Sequence, residues 1–426
     1  MRNVEDFKRK KVLVVGLGRS GLACAQILHN LKAEVEVTDN QDNPAIRQAL
    51  AQLQERGIKV EVGRHSQDSL KDKDLVVISP GVDARCPILS WAEELGVPII
   101  SEIELGWLLC SGTIIAITGS SGKTTVTTLL GEVFRSAKRN VFVLGNIGTP
   151  LTSQVDQIND GDIVCLEVSS FQLERTMGFR PKVAVMLNFN RNHLDRHRDM
   201  QEYLEAKKKI FANQDESDYL VLNAEDPVLS GLKDEASSKA VFFRSTRKYN
   251  PNQAAVVATA GLFGISQTHC DSVFAGFKGI EHRLEYVSEV AGVTFINDSK
   301  STLVESTVWA IKNISQPIIL IAGGRDKGLD YSGIVEVAKK KVKEVILIGE
   351  ARDKIRQAIK SDFSVTDASN LSEAVWIAFQ KAKSGECVLL SPMCASFDMF
   401  SDYEERGRVF KDIVREISQK VYEPQS

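Results

Sequence analysis

Two short glycine-rich segments have the residue types that hold phosphate groups in proteins. Residues 16–21 read GLGRSG and follow the apolar run KVLVV, and residues 119–125 read GSSGKTT and follow TIIAIT. Glycine permits a tight turn, so a phosphate can approach the backbone N–H groups and the N-terminus of the next helix. Lys123 can contact the β- and γ-phosphates of a nucleotide, and Thr124 or Thr125 can bind Mg²⁺. We therefore predict two nucleotide sites and expect ATP at the second.

An acidic residue follows the first glycine segment, at the end of the next expected strand. Asp39 lies 18 residues after Gly21, where a carboxylate can accept hydrogen bonds from a ribose. This pattern fits any nucleotide diphosphate. It leaves open a nicotinamide or flavin cofactor, and also a turn that only packs a helix on a strand. Two glycine segments in one chain favour one nucleotide as a handle on a substrate and another as phosphoryl donor.

Further polar residues follow the expected strands of the central region. Glu167 ends the run IVCLE, where a carboxylate can hold a divalent cation near a phosphate loop. The residues after it also fit a helix N-cap. The segment NHLDRH at 192–197 and three lysines at 207–209 come next. Histidine is an uncommon ligand of Mg²⁺, and hydrophobic periodicity does not indicate which lysine turns inward.

Three polar loops in the last third of the chain each follow an apolar run. They are residues 297–302 (NDSKST), 323–327 (GGRDK) and 391–398 (SPMCASFD). Ligands of open α/β sheets bind at the carboxyl ends of the strands, so we expect these loops to meet there. Their lysines, arginine and hydroxyls suit a small substrate that has a carboxylate. Cys394 has no activating base near it in the sequence, which argues against a role as nucleophile.

Short β-branched runs alternate with longer amphipathic stretches, a pattern typical of α/β units around mostly parallel sheets. The pattern forms three blocks. The sequence therefore predicts a Rossmann-like N-terminal domain at 1–100, a central P-loop ATPase-type domain at 101–282 and a Rossmann-like C-terminal domain at 283–426. The expected strands are 11–15, 34–38, 59–62, 75–79, 98–100, 113–118, 141–144, 163–167, 182–187, 218–222, 240–243, 293–296, 317–321, 344–348 and 387–391.

Composition excludes several classes of protein. The chain has 426 residues and a net charge of −3, which argues against a nucleic-acid partner. No apolar run approaches the length of about 20 residues that spans a bilayer, and no secretory signal is evident. The seven scattered cysteines form no CxxC pair, so they fit a reducing compartment rather than a disulfide framework or a zinc site. We expect a cytoplasmic monomer with no membrane partner.

Several segments occur in an order that is known from a protein family: TGSSGKTT, EVSSFQLE, NHLDRH followed by EAK, EHRLE, NDSKST, GGRDKG and SPMCASFDMF. Together with GLGRSGLA and ISPGV, they resemble the Mur ligases of peptidoglycan synthesis over nearly the whole chain, and in particular the members that add D-glutamate. The resemblance implies three domains, which bind UDP, ATP and the amino acid. It implies that ATP phosphorylates the carboxylate of UDP-MurNAc-L-Ala, and that the amine of D-glutamate attacks the acyl phosphate.

The resemblance also implies roles for individual residues, with Lys123, Glu167, His193 and Lys207 as the catalytic group. The implied ATP residues are Gly119, Ser120, Ser121, Gly122, Lys123, Thr124, Thr125, Asn252, Arg283 and Asp298. The implied magnesium ligands are Thr124, Glu167, His193 and Lys207, the last as a CO₂-derived carbamate. The implied contacts to UDP-MurNAc-L-Ala are Gly18, Arg19, Ser20, Asp39, Asn40, Gln41, Ser79, Gly81, Asn146 and Ser169. The implied contacts to D-glutamate are Lys300, Thr302, Lys327, Ser396, Phe397 and Tyr403.

Two departures from the family pattern concern binding. The string at 249–253 is YNPNQ, where the family shows HNxxN before an alanine-rich helix. Gln41 stands where some relatives have arginine, so the contacts to uracil differ.

Five alternatives remain. Ligases that add L-alanine, a diamino acid or a folate glutamate share the family chemistry, but a diamino-acid ligase shows DNPR in the third block and a folate ligase lacks the first glycine segment. From other classes, an NAD-dependent dehydrogenase leaves the second glycine segment unexplained. A P-loop regulator of nucleic acid is opposed by the charge balance.

Overall fold

The computed structural model describes residues 1–83, 85–190, 197–277, 279–326, 328–359 and 362–422. The chain divides into two compact units, Met1–Phe277 and Lys278–Ser426. The first unit contains a five-stranded and a six-stranded sheet, and the second unit contains another six-stranded sheet. No helix within the described ranges is long and apolar enough to cross a membrane.

The five-stranded sheet is parallel and has the order β3-β2-β1-β4-β5. Its strands are β1 (Lys11–Val15), β2 (Glu34–Asp39), β3 (Lys59–Val62), β4 (Leu75–Ile78) and β5 (Ile99–Ser101). The central strands are apolar and almost fully buried, as parallel strands covered by helices are. The chain moves from β1 to β2 and β3 and then returns to β4, so the strand order reverses between β1 and β4. That reversal opens a crevice at their carboxyl ends.

The second sheet is also parallel, with the order β11-β10-β9-β6-β8-β7. Its strands are β6 (Thr113–Thr118), β7 (Val141–Gly145), β8 (Ile163–Glu167), β9 (Val183–Met186), β10 (Tyr219–Asn223) and β11 (Lys239–Phe243). The strands β9, β6 and β8 are neighbours. Their carboxyl ends therefore present the second glycine segment between the residues that follow β9 and those that follow β8.

The third sheet has the order β12-β13-β17-β14-β15-β16, and only its β12–β13 pair is antiparallel. Its strands are β12 (Glu285–Val290), β13 (Val293–Asn297), β14 (Ile318–Gly323), β15 (Val342–Ile348), β16 (Ser364–Asp367) and β17 (Cys387–Leu390). Since β13, β17 and β14 are adjacent and parallel, the three polar loops predicted from the sequence follow neighbouring strands.

Helices cover these sheets, and several begin at a side-chain cap. Asn43, Ser101, Asp199 and Asn370 each accept a backbone N–H from the first helical turn, which stabilises a helix start by about 1 kcal/mol. The helices are α1 (Arg19–Asn30), α2 (Pro44–Gln54), α3 (Pro87–Glu94), α4 (Glu102–Leu109), α5 (Lys123–Ser136), α6 (Ser170–Leu173), α7 (Met200–Lys208), α8 (Pro227–Gly231), α9 (Pro251–Gly261), α10 (Gln267–Gly276), α11 (Val304–Asn313), α12 (Val335–Ala338), α13 (Arg352–Ile359), α14 (Leu371–Lys381) and α15 (Tyr403–Tyr422).

Helix α4 connects the first sheet to the second and is held on both sides. The Glu104 carboxylate accepts the N–H groups of residues 177–179 at 3.0, 2.7 and 3.0 Å. Glu102 is fully buried and accepts both the N–H and the hydroxyl of Thr152 at 2.8 Å. Gly106 makes room for Leu151, whose Cγ lies 2.6 Å from the place that a Cβ would take. Helix α4 therefore fits closely against the central domain.

The three-domain α/β architecture expected from the sequence is confirmed. Each expected strand has a counterpart whose ends differ by at most one or two residues. Strands β12 and β16 were not expected. β16 reads SVTD and lies at a sheet edge, so it lacks the apolar run that marks a central strand. β12 pairs with β13 through a turn at Ala291 and Gly292, which have φ of +50° and +76°.

Candidate active site

A cleft of about 750 Å³ opens at the carboxyl ends of β1, β2 and β4. Of the residues assigned to the UDP-linked substrate, only Ser169 is not part of its lining. The others that line it are Gly18, Arg19, Ser20, Asp39, Asn40, Gln41, Ser79, Gly81 and Asn146. Ser169 instead caps α6, and its hydroxyl accepts the N–H of Gln172 at 3.3 Å. The structure thus brings these residues together, while their contacts to a substrate stay a prediction.

Close backbone approach shapes the turn beside this cleft. Gly16 has a φ of +91°, and a Cβ on Gly21 would lie 1.8 Å from the carbonyl oxygen of Gly16. Helix α1 can therefore start against the turn only because both residues lack a side chain. The two Asp39 carboxylate oxygens accept the N–H groups of Leu17 at 2.6 Å and Gln41 at 2.8 Å. Asp39 therefore organises the turn as well as lining the cleft.

The second glycine segment forms a tight turn between β6 and α5. Gly122 has a φ of +80° and is the N-cap residue of α5. Lys123 lies over the turn and donates to the carbonyl oxygen of Gly119 at 2.8 Å. Thr124 is buried and Thr125 is half-buried on the first turn of α5. The helix N-terminus and the ammonium group together make this turn an anion site.

Two asparagines hold this turn from neighbouring elements. Asn188 follows β9, and its amide accepts the N–H of Ser121 at 2.8 Å and donates to the Ser121 carbonyl at 3.1 Å. Asn252 lies on α9, and its Oδ1 is 2.5 Å from the place that a Cβ on Gly122 would take. Asn252, which the resemblance assigns to ATP, therefore lies against the phosphate loop. Asn188 was not predicted from the sequence, although a polar residue directly after an expected strand is a signal for such a role.

Glu167 is a buried carboxylate at the end of β8, the strand beside β6. Its Oε1 accepts the side-chain amide of Asn146 at 2.8 Å. Its Oε2 is buried and has no hydrogen-bond partner among the described residues, and leaving such an oxygen unsatisfied costs roughly 1–3 kcal/mol. An unsatisfied carboxylate oxygen beside a phosphate loop fits a hard divalent cation, which prefers oxygen ligands. The residues present therefore fit Mg²⁺.

Lys207 is the lysine of the 207–209 run that turns inward. It is 1% exposed, and its Nζ donates to Thr118 Oγ1 and to the Gly119 carbonyl, both at 3.1 Å. Nζ also lies 4.7 Å from the ring centre of Tyr203. Burial, and then the nearby charge of Lys123, lower the pKa of Lys207 well below its usual value. The amine therefore has a much larger neutral, nucleophilic fraction than an exposed lysine.

Two predicted residues, His193 and Lys327, lie outside the described residues. The nearby His197 is buried, with Nε2 2.9 Å from Ser170 Oγ, and its ring stacks on Phe171 with 5.4 Å between ring centres. Within the described ranges, no group of three or more His, Cys, Asp or Glu side chains is placed to hold a metal ion.

In the second unit, Asp298 joins two of the predicted loops. It is buried after β13 and accepts the Ser391 hydroxyl at 2.7 Å and the N–H of Leu284 at 3.1 Å. Burial raises the pKa of Asp298 to about 6. Arg283 is the residue before Leu284, and its guanidinium lies 5.9 Å from the ring centre of Trp309.

Four of the residues assigned to D-glutamate lie on two of these loops, and Tyr403 begins α15. The Nζ of Lys300 is 5.6 Å from the ring centre of Tyr403, and the N–H of Thr302 donates to the Lys300 carbonyl at 2.9 Å. Ser396 is buried, whereas Phe397 is 65% exposed. The loops thus present an ammonium group, hydroxyls and an exposed aromatic ring within the second unit.

A buried arginine that the sequence analysis missed ties these loops together. Arg406 is fully buried, and it donates to Ser299 Oγ at 3.0 Å, the Ser299 carbonyl at 2.9 Å, the Cys394 carbonyl at 3.2 Å and the Ala395 carbonyl at 3.3 Å. Burial lowers the pKa of Arg406 to about 10. Burial also raises the pKa of the Cys394 thiol to about 11, which argues against a nucleophilic role.

Comparison with known proteins agrees with this architecture. Three family models match the chain: a Mur ligase MurD-like N-terminal domain at 10–101, a Mur ligase middle domain at 117–296 and a Mur ligase glutamate ligase domain at 282–394. A UDP-N-acetylmuramoylalanine–D-glutamate ligase of Caldanaerobacter subterraneus is 40% identical, over 97% of this chain and 99% of the relative. A protein of the same name from Thermoanaerobacter pseudethanolicus is 39% identical over the same shares.

A solved structure shares the fold. UDP-N-acetylmuramate–alanine ligase from Thermotoga maritima matches with a TM-score of 0.60 and 18% identity, over 95% of this chain and 99% of that one. The phosphate loop, the three α/β domains and these matches define an ATP-dependent amide ligase. Within that class, the chain belongs to the Mur ligase family.

Proposed function

We propose that this protein is the ATP-dependent ligase that joins D-glutamate to UDP-N-acetylmuramoyl-L-alanine in peptidoglycan precursor synthesis. The observation that carries the proposal is the presence of two separate phosphate-type turns in one chain. Relatives of about 40% identity, matched over 99% of their length, have this activity in their names. A dehydrogenase uses only the first turn. The structure gives the second turn its own lysine, hydroxyls and buried carboxylate.

The proposed reaction has two chemical steps. The carboxylate of the alanyl group attacks the γ-phosphorus of ATP, so an acyl phosphate forms and ADP leaves. The neutral amine of D-glutamate then attacks the acyl carbon, the tetrahedral adduct loses phosphate, and an amide remains after loss of a proton. A free carboxylate is a poor electrophile at neutral pH, so phosphorylation supplies the leaving group. The residues mainly position the reactants and neutralise charge.

We propose that the cleft on the first sheet holds the UDP part of the substrate. Its Gly16 turn and the N-terminus of α1 suit a diphosphate, and Asp39 and Asn40 line the same cleft. Asn146 lines the cleft and also donates to Glu167 at 2.8 Å. The substrate end that contacts Asn146 therefore lies close to the phosphate loop, where the carboxylate must react.

We propose that Thr124, Glu167 and His193 hold magnesium beside the phosphate loop. The unsatisfied Oε2 of Glu167 supports this assignment. Bound Mg²⁺ would neutralise phosphate charge during phosphoryl transfer. Lys123 holds the phosphate oxygens from the helix side, and Asn188 keeps the loop in shape.

We propose that Lys207 reacts with CO₂ to form a carbamate. The neutral amine donates its lone pair to the carbon of CO₂, so an N–C bond forms while one C–O π bond breaks and its electron pair moves to oxygen. The nitrogen then loses a proton to water. The product is an anion with two oxygens that can help to bind a second magnesium. The lowered pKa of Lys207 supports this step, because only the neutral amine is nucleophilic.

The remaining roles rest on the resemblance to the motifs of the family. We propose that Asn252, Arg283 and Asp298 contact ATP. We propose that D-glutamate is bound by Lys300, Thr302, Lys327, Ser396, Phe397 and Tyr403. The seven buried, unpaired cysteines support a place in the reducing cytoplasm, and sedimentation at micromolar concentration tests the proposed monomer.

The deciding experiment measures ATP-dependent phosphate release with UDP-MurNAc-L-Ala as acceptor. D-glutamate, L-glutamate, L-alanine and lysine are compared, and we expect release with D-glutamate alone. Release with another amino acid would assign the protein to a different family member. An assay for hydride transfer to NAD⁺ tests the dehydrogenase alternative, for which we expect no signal.

A further inference from the structure

His65 lines the cleft of the first sheet and was not among the predicted site residues. It follows β3 and lies half-buried in the same lining as Asp39 and Gln41. Asp39 and Gln41 lie at the carboxyl end of β2, and His65 follows β3. All three are therefore on the β2–β3 side of the glycine turn that follows β1.

A hydrogen-bond chain fixes the proton on the His65 ring. Thr38 is fully buried, and its hydroxyl lies 3.2 Å from the Arg64 carbonyl and 2.9 Å from His65 Nδ1. A carbonyl can only accept, and a threonine hydroxyl has a single proton. Both contacts are hydrogen bonds at the same time only when Thr38 donates to the Arg64 carbonyl and His65 Nδ1–H donates to Thr38. We assign the tautomer on this basis, which leaves a lone pair on Nε2.

Burial favours the neutral form of the His65 ring. Asp39 and Glu61 are the charged groups that act on His65, and both favour its protonation, but burial outweighs them and the pKa of His65 is lowered. The ring is therefore mostly neutral at pH 7. Nε2 has no hydrogen-bond partner among the described residues, although its ring lines a cleft. An acceptor atom in such a place suits a ligand that donates a hydrogen bond.

We propose that His65 is a specificity-determining residue for the nucleotide: its Nε2 accepts a hydrogen bond from the uridine part of the substrate. The donor is either the N3–H of uracil or a ribose hydroxyl. A uracil donor would also reject cytosine, whose N3 is an acceptor. This inference rests on the proposed function, because it requires that the cleft hold UDP.

The test is a binding cycle measured by calorimetry with the full-length protein. The ligands are UDP, N3-methyl-UDP, 2′-deoxy-UDP and 3′-deoxy-UDP, and the proteins are wild type, His65→Leu and His65→Gln. We expect wild type to bind UDP roughly 3- to 10-fold more tightly than the analogue that lacks the donor, as one hydrogen bond would give. His65→Leu loses that preference, and His65→Gln, which keeps an acceptor, regains part of it.

The ligand whose discrimination disappears in His65→Leu identifies the donor. Loss toward N3-methyl-UDP indicates the base, and loss toward a deoxy analogue indicates the ribose. If His65→Leu discriminates against all three analogues as wild type does, the inference is overturned. The proposed function is not affected by that result as long as wild type binds UDP. Absence of UDP binding by wild type overturns both. His29→Leu, in α1 and in a groove at the amino ends of β1–β3, is the matched control and keeps wild-type discrimination.

A second measurement does not depend on the stability of His65→Leu. In ¹⁵N-histidine-labelled protein, the signals that vanish in His65→Gln belong to His65. We expect the proton on Nδ1 and a change in the Nε2 shift when UDP is added. A proton found on Nε2 in the free protein contradicts the inference.

Discussion

Replacing Lys207 separates its chemical role from its structural one. Lys207→Met keeps most of the aliphatic stem and removes the amine, which donates to Thr118 and Gly119. Lys208→Met is the matched control, because Lys208 is the next residue on α7 and forms surface ion pairs with Glu205 and Glu235. If Lys207 forms the proposed carbamate, only the first substitution affects phosphate release.

We expect Lys207→Met to lower activity strongly without lowering stability. Loss of one preorganised electrostatic group at a reaction centre lowers kcat by roughly 10²- to 10³-fold. The two lost hydrogen bonds each cost about 1 kcal/mol. A buried ammonium group also destabilises the folded state, which is why the pKa of Lys207 is lowered, and the substitution removes this cost. We therefore expect Lys207→Met to be no less stable than wild type at pH 7.

The pH dependence of stability gives a second readout. The folded-state pKa of Lys207 is lowered, so the unfolded chain binds more protons than the folded one between that lowered value and about 10.4. In buffer freed of CO₂, where Lys207 is an amine, wild-type stability should therefore gain a component that rises with pH through this window, and Lys207→Met should lack it.

The assays are phosphate release, urea unfolding and ¹³C NMR with labelled bicarbonate. We expect a carbamate signal in wild type and in Lys208→Met but not in Lys207→Met. A short carboxylic acid should restore part of the activity of Lys207→Ala, which leaves space for it. Full phosphate release by folded Lys207→Met, or the same carbamate signal in all three proteins, would refute the reasoning.

Three further substitutions test other parts of the structure. Lys123→Ala should abolish phosphate release while leaving UDP binding to the cleft unchanged, as calorimetry can show. Asp298→Asn should stabilise the protein at pH 7 by roughly 2–3 kcal/mol and flatten the curve of stability against pH between about pH 4 and 6. The reason is that the raised pKa of Asp298 makes wild-type stability fall as pH rises through that window. Identical curves for the two proteins would contradict the raised pKa of this buried carboxylate. Gly106→Ala should lower the free energy of unfolding by about 1–3 kcal/mol through its clash with Leu151, whereas Gly261→Ala, which meets nothing within 4 Å, should not.

The sequence predicted the strands and loops whose signals are local. The run IVCLE of β8 is buried at every position, so its apolar pattern is enough to mark a central strand. The glycine turns are local too, since Gly16 and Gly122 both need positive φ. The strand order β9-β6-β8, which places Glu167 beside the phosphate loop, follows from tertiary pairing that no single segment encodes.

The parts of the site that sequence reasoning missed depend on contacts between distant residues. Asn188 and His65 gain their roles from hydrogen bonds to Ser121 and Thr38, and each looks like an ordinary loop residue in isolation. Arg406 lies in a charged amphipathic stretch, where an exposed face is the default expectation. Within the lysine run, resemblance alone indicates Lys207, and its burial against Thr118 gives that assignment a physical reason.

The seven cysteines have a practical consequence for anyone who handles this protein. All are buried and unpaired, and burial raises the thiol pKa of Cys165 and of Cys387 to about 12. The native fold should therefore withstand alkylating reagents and storage in air. Unfolding would release seven thiols with an ordinary pKa near 8.5, free to crosslink one chain to another. Heated samples should consequently recover on cooling with a reductant and precipitate as covalent aggregates without one.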